Sequence, residues 1–198
     1  SMVYLTYQDK AEDRYGNSYA DTVFTDGIPD VLYEAKIGAD YILKLYKASK
    51  ADGLIDKADM YHSVGVADAD HAYWDVPEKQ DAQVQEKGGP DREVTSSIGA
   101  NTAGIFVATL ANVAVGYQVY DPVYSEELLD AAKDIYAKVF MPAYKENRMT
   151  AGGYYNQFYT GLGPKNDDGA AAAFALWYAT KDTSYRYDLY KNPAIFNN

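Results

Sequence analysis

Asp68-Ala69-Asp70-His71-Ala72-Tyr73-Trp74-Asp75-Val76-Pro77-Glu78 gathers carboxylates, an imidazole, a phenol and an indole into eleven residues. Flat apolar rings beside hydrogen-bonding groups suit a ligand that is itself part apolar face and part hydroxyl edge, as a pyranose is. On that reading His71 and Trp74 stack on a sugar or hydrogen-bond to it. The structural alternative is an acidic, solvated loop that Trp74 anchors to the core. A second segment, Gly152-Gly153-Tyr154-Tyr155-Asn156-Gln157-Phe158-Tyr159, sets aromatics in succession behind two glycines that permit tight turns. It reads either as a second sugar-facing loop or as a loop packed down by its own tyrosines.

Other chemistries find little support. The sequence has no Gly-rich phosphate loop, no Gly-x-Ser-x-Gly elbow and no His-Glu-x-x-His motif. Cysteine is absent and there are two histidines, so disulfides, thiolate sites and multi-histidine metal sites are excluded or nearly so. A formal net charge of −11 repels nucleic acid and anionic membrane, and neither is an expected partner. No stretch is expected to reach the roughly 20 apolar residues of a membrane helix. Tyrosine is abundant, 21 of 198 residues, and either fills helix–helix interfaces or lines a sugar site.

The elements that position these segments read as helices. Ile28-Pro29-Asp30 is a helix start, and Val31, Leu32, Ala35, Ala39, Ile42, Leu43 and Tyr46 follow at three- and four-residue steps, predicting a helix over 29–48. Residues 49–94 hold scattered Gly, Pro and Asp without a sustained period, a long irregular stretch of the kind that usually serves function. Ser96 or Ser97 is the expected cap of a second helix, with Ala100, Ala103, Val107, Leu110, Ala111, Ala114 and Gln118 on one face. Asp121-Pro122 pairs an N-cap with a first-turn proline, and Leu128, Leu129, Ala132, Ile135, Tyr136 and Val139 form the stripe behind it. Pro142 is expected to bound a loop. Asp167 or Asp168 is expected to cap a last clear helix through Ala170–Ala173, Phe174, Leu176, Trp177 and Thr180. Thr183 to Tyr190 reads as the start of one more helix. The fold class is all-α, built of antiparallel helix pairs with short turns on one side and long loops on the other.

In this order the segments resemble glycoside hydrolase family 9, the inverting cellulases. Asp26-Gly-Ile-Pro-Asp-Val-Leu-Tyr-Glu-Ala-Lys36 is similar to that family's "NGIPDLLDEAR", and Asp70-His-Ala-Tyr-Trp74 to its "DHAWW". The run from Pro90 through Arg92 and Thr95 to Ala114 resembles its alanine-rich helix, and Asp121-Pro-Val-Tyr124 its "DPAYA" turn. Tyr154-Tyr-Asn-Gln-Phe158 is similar to "FYNSW", and Asp167 through Asp182 to "DELxWAAxWLYxATGD". The likeness covers most of residues 26–185.

The resemblance implies part of an (α/α)6 barrel with its long loops at one end. Residues 1–198 are then a single segment of a family 9 catalytic domain acting on a β-glucan or cello-oligosaccharide, in a secreted, extracellular protein. It also implies that His71, Trp74, Tyr154, Tyr155 and Phe158 bind substrate, and that Asp167 and Asp168 belong to a structural calcium site. No cofactor is required for the chemistry. The structural alternative for the two aspartates is helix N-cap and first-turn acid. The family's Asp-Ala-Gly-Asp motif, which carries the catalytic base, is not in the sequence, nor is its late acid glutamate assignable. The expectation is therefore an inactive internal segment with no catalytic residue, whose uncovered inner-helix faces self-associate. The competing reading is a non-catalytic carbohydrate-binding or interaction module. A third, another α/α-barrel enzyme, does not account for both aromatic motifs.

Overall fold

In the computed structural model, residues 11–13, 25–65, 69, 71–89, 92–150 and 165–185 are described, and they are largely helical. Helix α1, Asp30–Ala51, begins one residue after the predicted start, with Pro29 as its N-cap, and runs three residues past the predicted end. Its start is held from outside. The Asp30 N–H donates to Glu12 O at 2.9 Å, the Asp13 carboxylate accepts from Gly27 N at 2.8 Å, and Asp26 Oδ1 accepts from Ile28 N. Leu32, Ala39, Ile42, Leu43, Leu45 and Tyr46 make its buried face.

After α1 the described residues up to 99 hold little regular structure. The chain makes a 3₁₀ turn at Ile55–Lys57, strand β1 at Ser63–Val64, the single turn of α2 at Pro77–Gln80, a 3₁₀ turn at Gln85–Lys87, and strand β2 at Val94–Thr95. The strands pair antiparallel, Ser63 opposite Thr95 and Val64 opposite Val94. Two-residue strands are too short to show alternation, so the sequence carries no signal for them.

Helix α3, Ala100–Tyr117, is the centre of the core and packs against α1, α4 and α6. It is buried on most sides, and Gln118, assigned by periodicity to its apolar face, is exposed just beyond its end. Against the expectation from sequence, α3 is by length and composition apolar enough to cross a membrane, but 67% of that window is buried inside the protein, as in a core helix. The expected serine cap is also corrected. Gly99 is the N-cap residue and has no side chain to cap the helix; Ser97 lies two residues farther out at φ +73°. The first helical N–H groups are satisfied by another segment, Ala100 N donating to Arg148 O at 2.8 Å.

Helix α4, Pro122–Ile135, starts as its sequence dictates. Asp121 Oδ1 accepts from Tyr124 N at 3.0 Å and Pro122 occupies the first turn. The short connection folds α4 back on α3, with Ser125 Oγ donating to Ala114 O and the Tyr117 and Tyr124 rings 5.1 Å apart. Pro142 does not bound a loop. The chain passes from α4 through a π-turn, Tyr136–Phe140, into α5, Met141–Lys145. A proline ring crowds the carbonyl four residues earlier and donates no N–H; the wider turn, with Met141 N bonded to Tyr136 O, carries the helical path past that position.

Helix α6, Lys165–Thr180, begins before the expected aspartate cap, so Asp167 and Asp168 lie inside its first turn. It packs closely on α3: a Cβ added to Gly104 would stand 2.8 Å from Asp168 O. The small Ala172, Ala173 and Ala175 are buried there. Among the tyrosines, several serve helix interfaces through the hydroxyl as well as the ring. Tyr117 donates to Leu32 O, Tyr124 to Asp40 and Tyr46 to Asp134, tying α1 to α3 and α4. Burial raises the pKa of the Tyr117 and Tyr124 hydroxyls, which therefore stay protonated as donors.

Candidate functional site

The chain leaves and rejoins the helical core through one junction, which fixes both ends of the irregular stretch. At the outgoing end, His62 N donates to Thr95 O at 2.9 Å and Gly65 N to Glu93 O at 2.7 Å, on either side of the β1–β2 ladder. The buried His62 ring places Nε2 3.0 Å from Ser96 O, a contact that requires the proton on Nε2. Desolvation lowers its pKa, so the ring is neutral near pH 7.

The Asp59 carboxylate receives Ser97 N at 2.8 Å, Ile98 N at 3.0 Å and its neighbour Met60 N at 2.8 Å. Arg148 donates to Ala58 O at 2.6 Å, with its guanidinium 4.0 Å from Asp59. Thr150 closes the junction. Its Oγ1 accepts from Gly99 N at 2.7 Å and lies 2.7 Å from Thr102 Oγ1, and its N–H donates to Asn101 Oδ1. His62 Nδ1, Asn101 Nδ2 and Arg148 Nε are buried without a hydrogen-bond partner, and all three belong to residues of this junction. Nothing in local sequence marks Asp59, Asn101, Arg148 or Thr150 as a junction, because the partners that join its two ends lie 38 to 90 positions away.

The described part of the predicted rim faces solvent. Trp74 is 79% exposed, which excludes the core-anchor alternative. Its Nε1–H is satisfied locally by His71 O at 3.1 Å, and the two rings meet edge-to-face with centroids 5.3 Å apart. The polar edge of the indole is thus occupied while an apolar face meets solvent, an uncommon arrangement for so large a side chain. Alongside, Asp75 pairs with Lys79 at 2.9 Å and caps Val76 N. The hydrogen bond from Lys79, helped by that N–H, holds the Asp75 carboxyl below the usual carboxylate range. Asp75 is therefore ionised near neutral pH and is no proton donor. Tyr154, Tyr155 and Phe158 lie outside the described residues.

Asp167 and Asp168 stand side by side at the N-terminal end of α6, and Asp167 Oδ1 accepts from Asp168 N at 3.1 Å. Pressed against Gly104 of α3, Asp168 is pushed up to about 6, first by desolvation and then by the Asp167 charge. Carboxylate oxygens suit Ca²⁺, but a Ca²⁺ site takes six to eight ligands. Among the described residues no group of three or more acidic or histidine side chains converges. The pair fits calcium in donor type and falls short in number.

The raised pKa has a testable consequence. Folding favours the protonated form, so Asp168's contribution to stability is present below about pH 4 and lost as pH rises through about 6. Asp168→Asn removes the penalty. In metal-free buffer at pH 7 the variant is expected to melt a few degrees higher than the parent, by about 1 kcal/mol after allowance for the group's partial exposure. The two melting temperatures should converge on acidification to pH 4. A lower melting temperature for the variant at pH 7 would contradict the burial account.

The sequence profile of glycosyl hydrolase family 9 matches residues 1–197. The chain belongs to that family. It is 28% identical over 150 residues to Endoglucanase B of Cellulomonas fimi, a match covering 74% of this chain and 13% of that protein. With Endoglucanase 4 of Arabidopsis thaliana it shares 29% identity over 163 residues, 81% of this chain and 30% of that protein. Among solved structures, the cellulase Cel9M of C. cellulolyticum in complex with cellobiose superposes with a TM-score of 0.54 at 25% identity, covering 81% of this chain and 39% of that one. The endoglucanase of the termite Nasutitermes takasagoensis gives a TM-score of 0.53 at 23% identity, over 84% and 40%. The termite likeness bears on fold alone. This family 9 chain spans well under half the length of each of these relatives.

Proposed function

We propose that residues 1–198 form one segment of an inverting β-1,4-glucanase catalytic domain, and that the segment contributes a wall of the glucan-binding cleft. The observation that carries this reading is the outward Trp74 with His71 set against it, in a chain matched by family 9 over residues 1–197. Relatives named endoglucanase and cellulase, one of them solved with cellobiose, support a β-1,4-glucan as the ligand. In this reading Trp74 stacks on a glucosyl ring, His71 orients the indole and offers its imidazole to a hydroxyl, and Tyr154, Tyr155 and Phe158 also bind substrate. The helices contribute part of an (α/α)6 barrel, and the parent protein works outside the cell. A structural Ca²⁺ would take oxygens from Asp167 and Asp168 and offset their mutual repulsion.

Inverting hydrolysis needs two carboxyls about 6.5–9.5 Å apart with a water between them. Asp75 of the described rim is ionised, which excludes it as the acid, and its carboxylate is tied to Lys79 rather than free to activate a water. The same observation favours the second reading, a carbohydrate-binding module without catalysis. Both expect the isolated chain to release no reducing sugar from soluble cellulose derivatives, since general acid–base chemistry alone contributes about 10²–10⁴-fold. The segment reading also expects it to elute larger than a 21.9 kDa monomer, with Ile105 on α3 and Phe174 and Tyr178 on α6 as exposed apolar contacts. Cellulase-like turnover by a monodisperse monomer would defeat both. Turnover restored on adding the remaining catalytic-domain segments would select the enzyme.

A further inference from the structure

The irregular stretch that carries His71 and Trp74 is clamped at both ends by a single carboxylate, and the clamp includes a strained residue. Ser97 has φ +73°, a left-handed conformation that an L-residue with a side chain adopts at a cost. Its N–H and that of Ile98 both point into the Asp59 carboxylate, at 2.8 and 3.0 Å. Asp59 stands just before β1 and Ser97 just after β2, so the pair closes the excursion between them like a drawstring. The His62–Ser96 contact and the β1–β2 ladder lie immediately inside the closure, and Arg148 braces Ala58 from behind.

The structure assigns to Asp59 the role of a positioning residue for the His71–Trp74 rim. It holds Ser97 in the left-handed conformation, which sets the register of the ladder and with it the direction in which the rim leaves the core. A carboxylate suits this role because both of its oxygens accept: Oδ1 takes the Ser97, Ile98 and Met60 N–H groups, and Oδ2 stands 3.1 Å from Ser97 N. In an asparagine one of them becomes an NH₂ group, which faces an N–H donor and repels it.

The inference rests on the reading of His71 and Trp74 as a sugar-binding rim, so the experiment has a sugar arm and a sugar-free arm. In the first, cellohexaose is titrated calorimetrically into the parent chain and into Asp59→Asn, at a temperature where circular dichroism shows both folded. Binding is expected to weaken at least fivefold. Adding Ser97→Gly to that variant should return it to within twofold of the parent, since glycine adopts the left-handed conformation unaided. Gly169→Ala, which brings a Cβ to 2.8 Å from the Phe140 ring in the helical core, is the control for lost stability, and its affinity should not change. Asp59→Glu, which displaces the carboxylate by one methylene, serves as second variant and should weaken binding at least threefold.

In the second arm, amide hydrogen exchange is followed without sugar. Asp59→Asn should speed exchange at His62, Gly65 and residues 71–89 while leaving α3, α4 and α6 as in the parent. Unchanged exchange, or affinity within twofold of the parent for both Asp59 variants, would overturn the assignment. A parent chain that binds no cellohexaose would defeat the sugar reading, and the exchange arm would still decide the role of Asp59.

Discussion

Gly99→Ala is expected to cost on the order of 4 kcal/mol of stability. Gly99 has an ordinary extended backbone, φ −98° and ψ 173°, so the requirement is for space and not for conformation. An added Cβ would stand 1.8 Å from Thr150 N and 2.0 Å from the carbonyl carbon of Met149. Both obstacles are backbone, and no rotamer change relieves them. The N-terminus of α3 and the segment 148–150 that satisfies it would have to part, losing the bonds from Gly99 N to Thr150 and from Ala100 N to Arg148. For a chain of this size the loss corresponds to a fall of about 10 °C in melting temperature. Thermal denaturation by circular dichroism measures it. A shift under 2 °C would mean that the approach of these two segments is not tight in solution.

Trp74→Ala is expected to have the largest effect on binding and almost none on folding. With 79% of its surface in solvent, the indole contributes little to the core, and its loss should move the melting temperature by no more than about 1 °C. If that face is the platform for a glucosyl ring, its removal should weaken cello-oligosaccharide binding at least tenfold, about 1.4 kcal/mol. Trp74→Phe should keep part of the affinity because an aromatic face remains. This division, binding lost and stability kept, separates a ligand platform from a packing residue. A core-anchoring tryptophan would show the reverse.

What could be read from the sequence followed the range of the interactions. Helices α1 and α4 were legible because their apolar periodicity and the Asp121-Pro122 start are local signals. The start of α3 was not. Serine is a good cap by propensity, but Asp59, 38 positions away, draws the Ser97 N–H outward, and Thr150 and Arg148 satisfy the helix end in its place. Pro142 reads as a breaker in any window, and only the π-turn ahead of it shows how the helix continues. The abundance of tyrosine was ambiguous. Tyr46, Tyr117 and Tyr124 turn out to stitch helices together, which sequence could not distinguish from ligand contact. The residue types of the His71–Trp74 stretch could be read, but not the exposure of Trp74, and Tyr154, Tyr155 and Phe158 lie outside the described residues. The direction of that stretch is the role assigned to the Asp59 junction, which no local pattern discloses.

The central claim is that the Trp74 face receives a glucan. In a Trp177→Phe background Trp74 is the sole tryptophan, and its emission reports on that face alone. Cellohexaose titrated into this protein should give a saturable change in intensity and wavelength, with a dissociation constant of about a millimolar, roughly −4 kcal/mol. A disaccharide without a β-1,4-glucosyl linkage, such as sucrose, should give none at the same concentrations. Emission that stays flat with cellohexaose well above that range, or that responds equally to both sugars, would contradict the account.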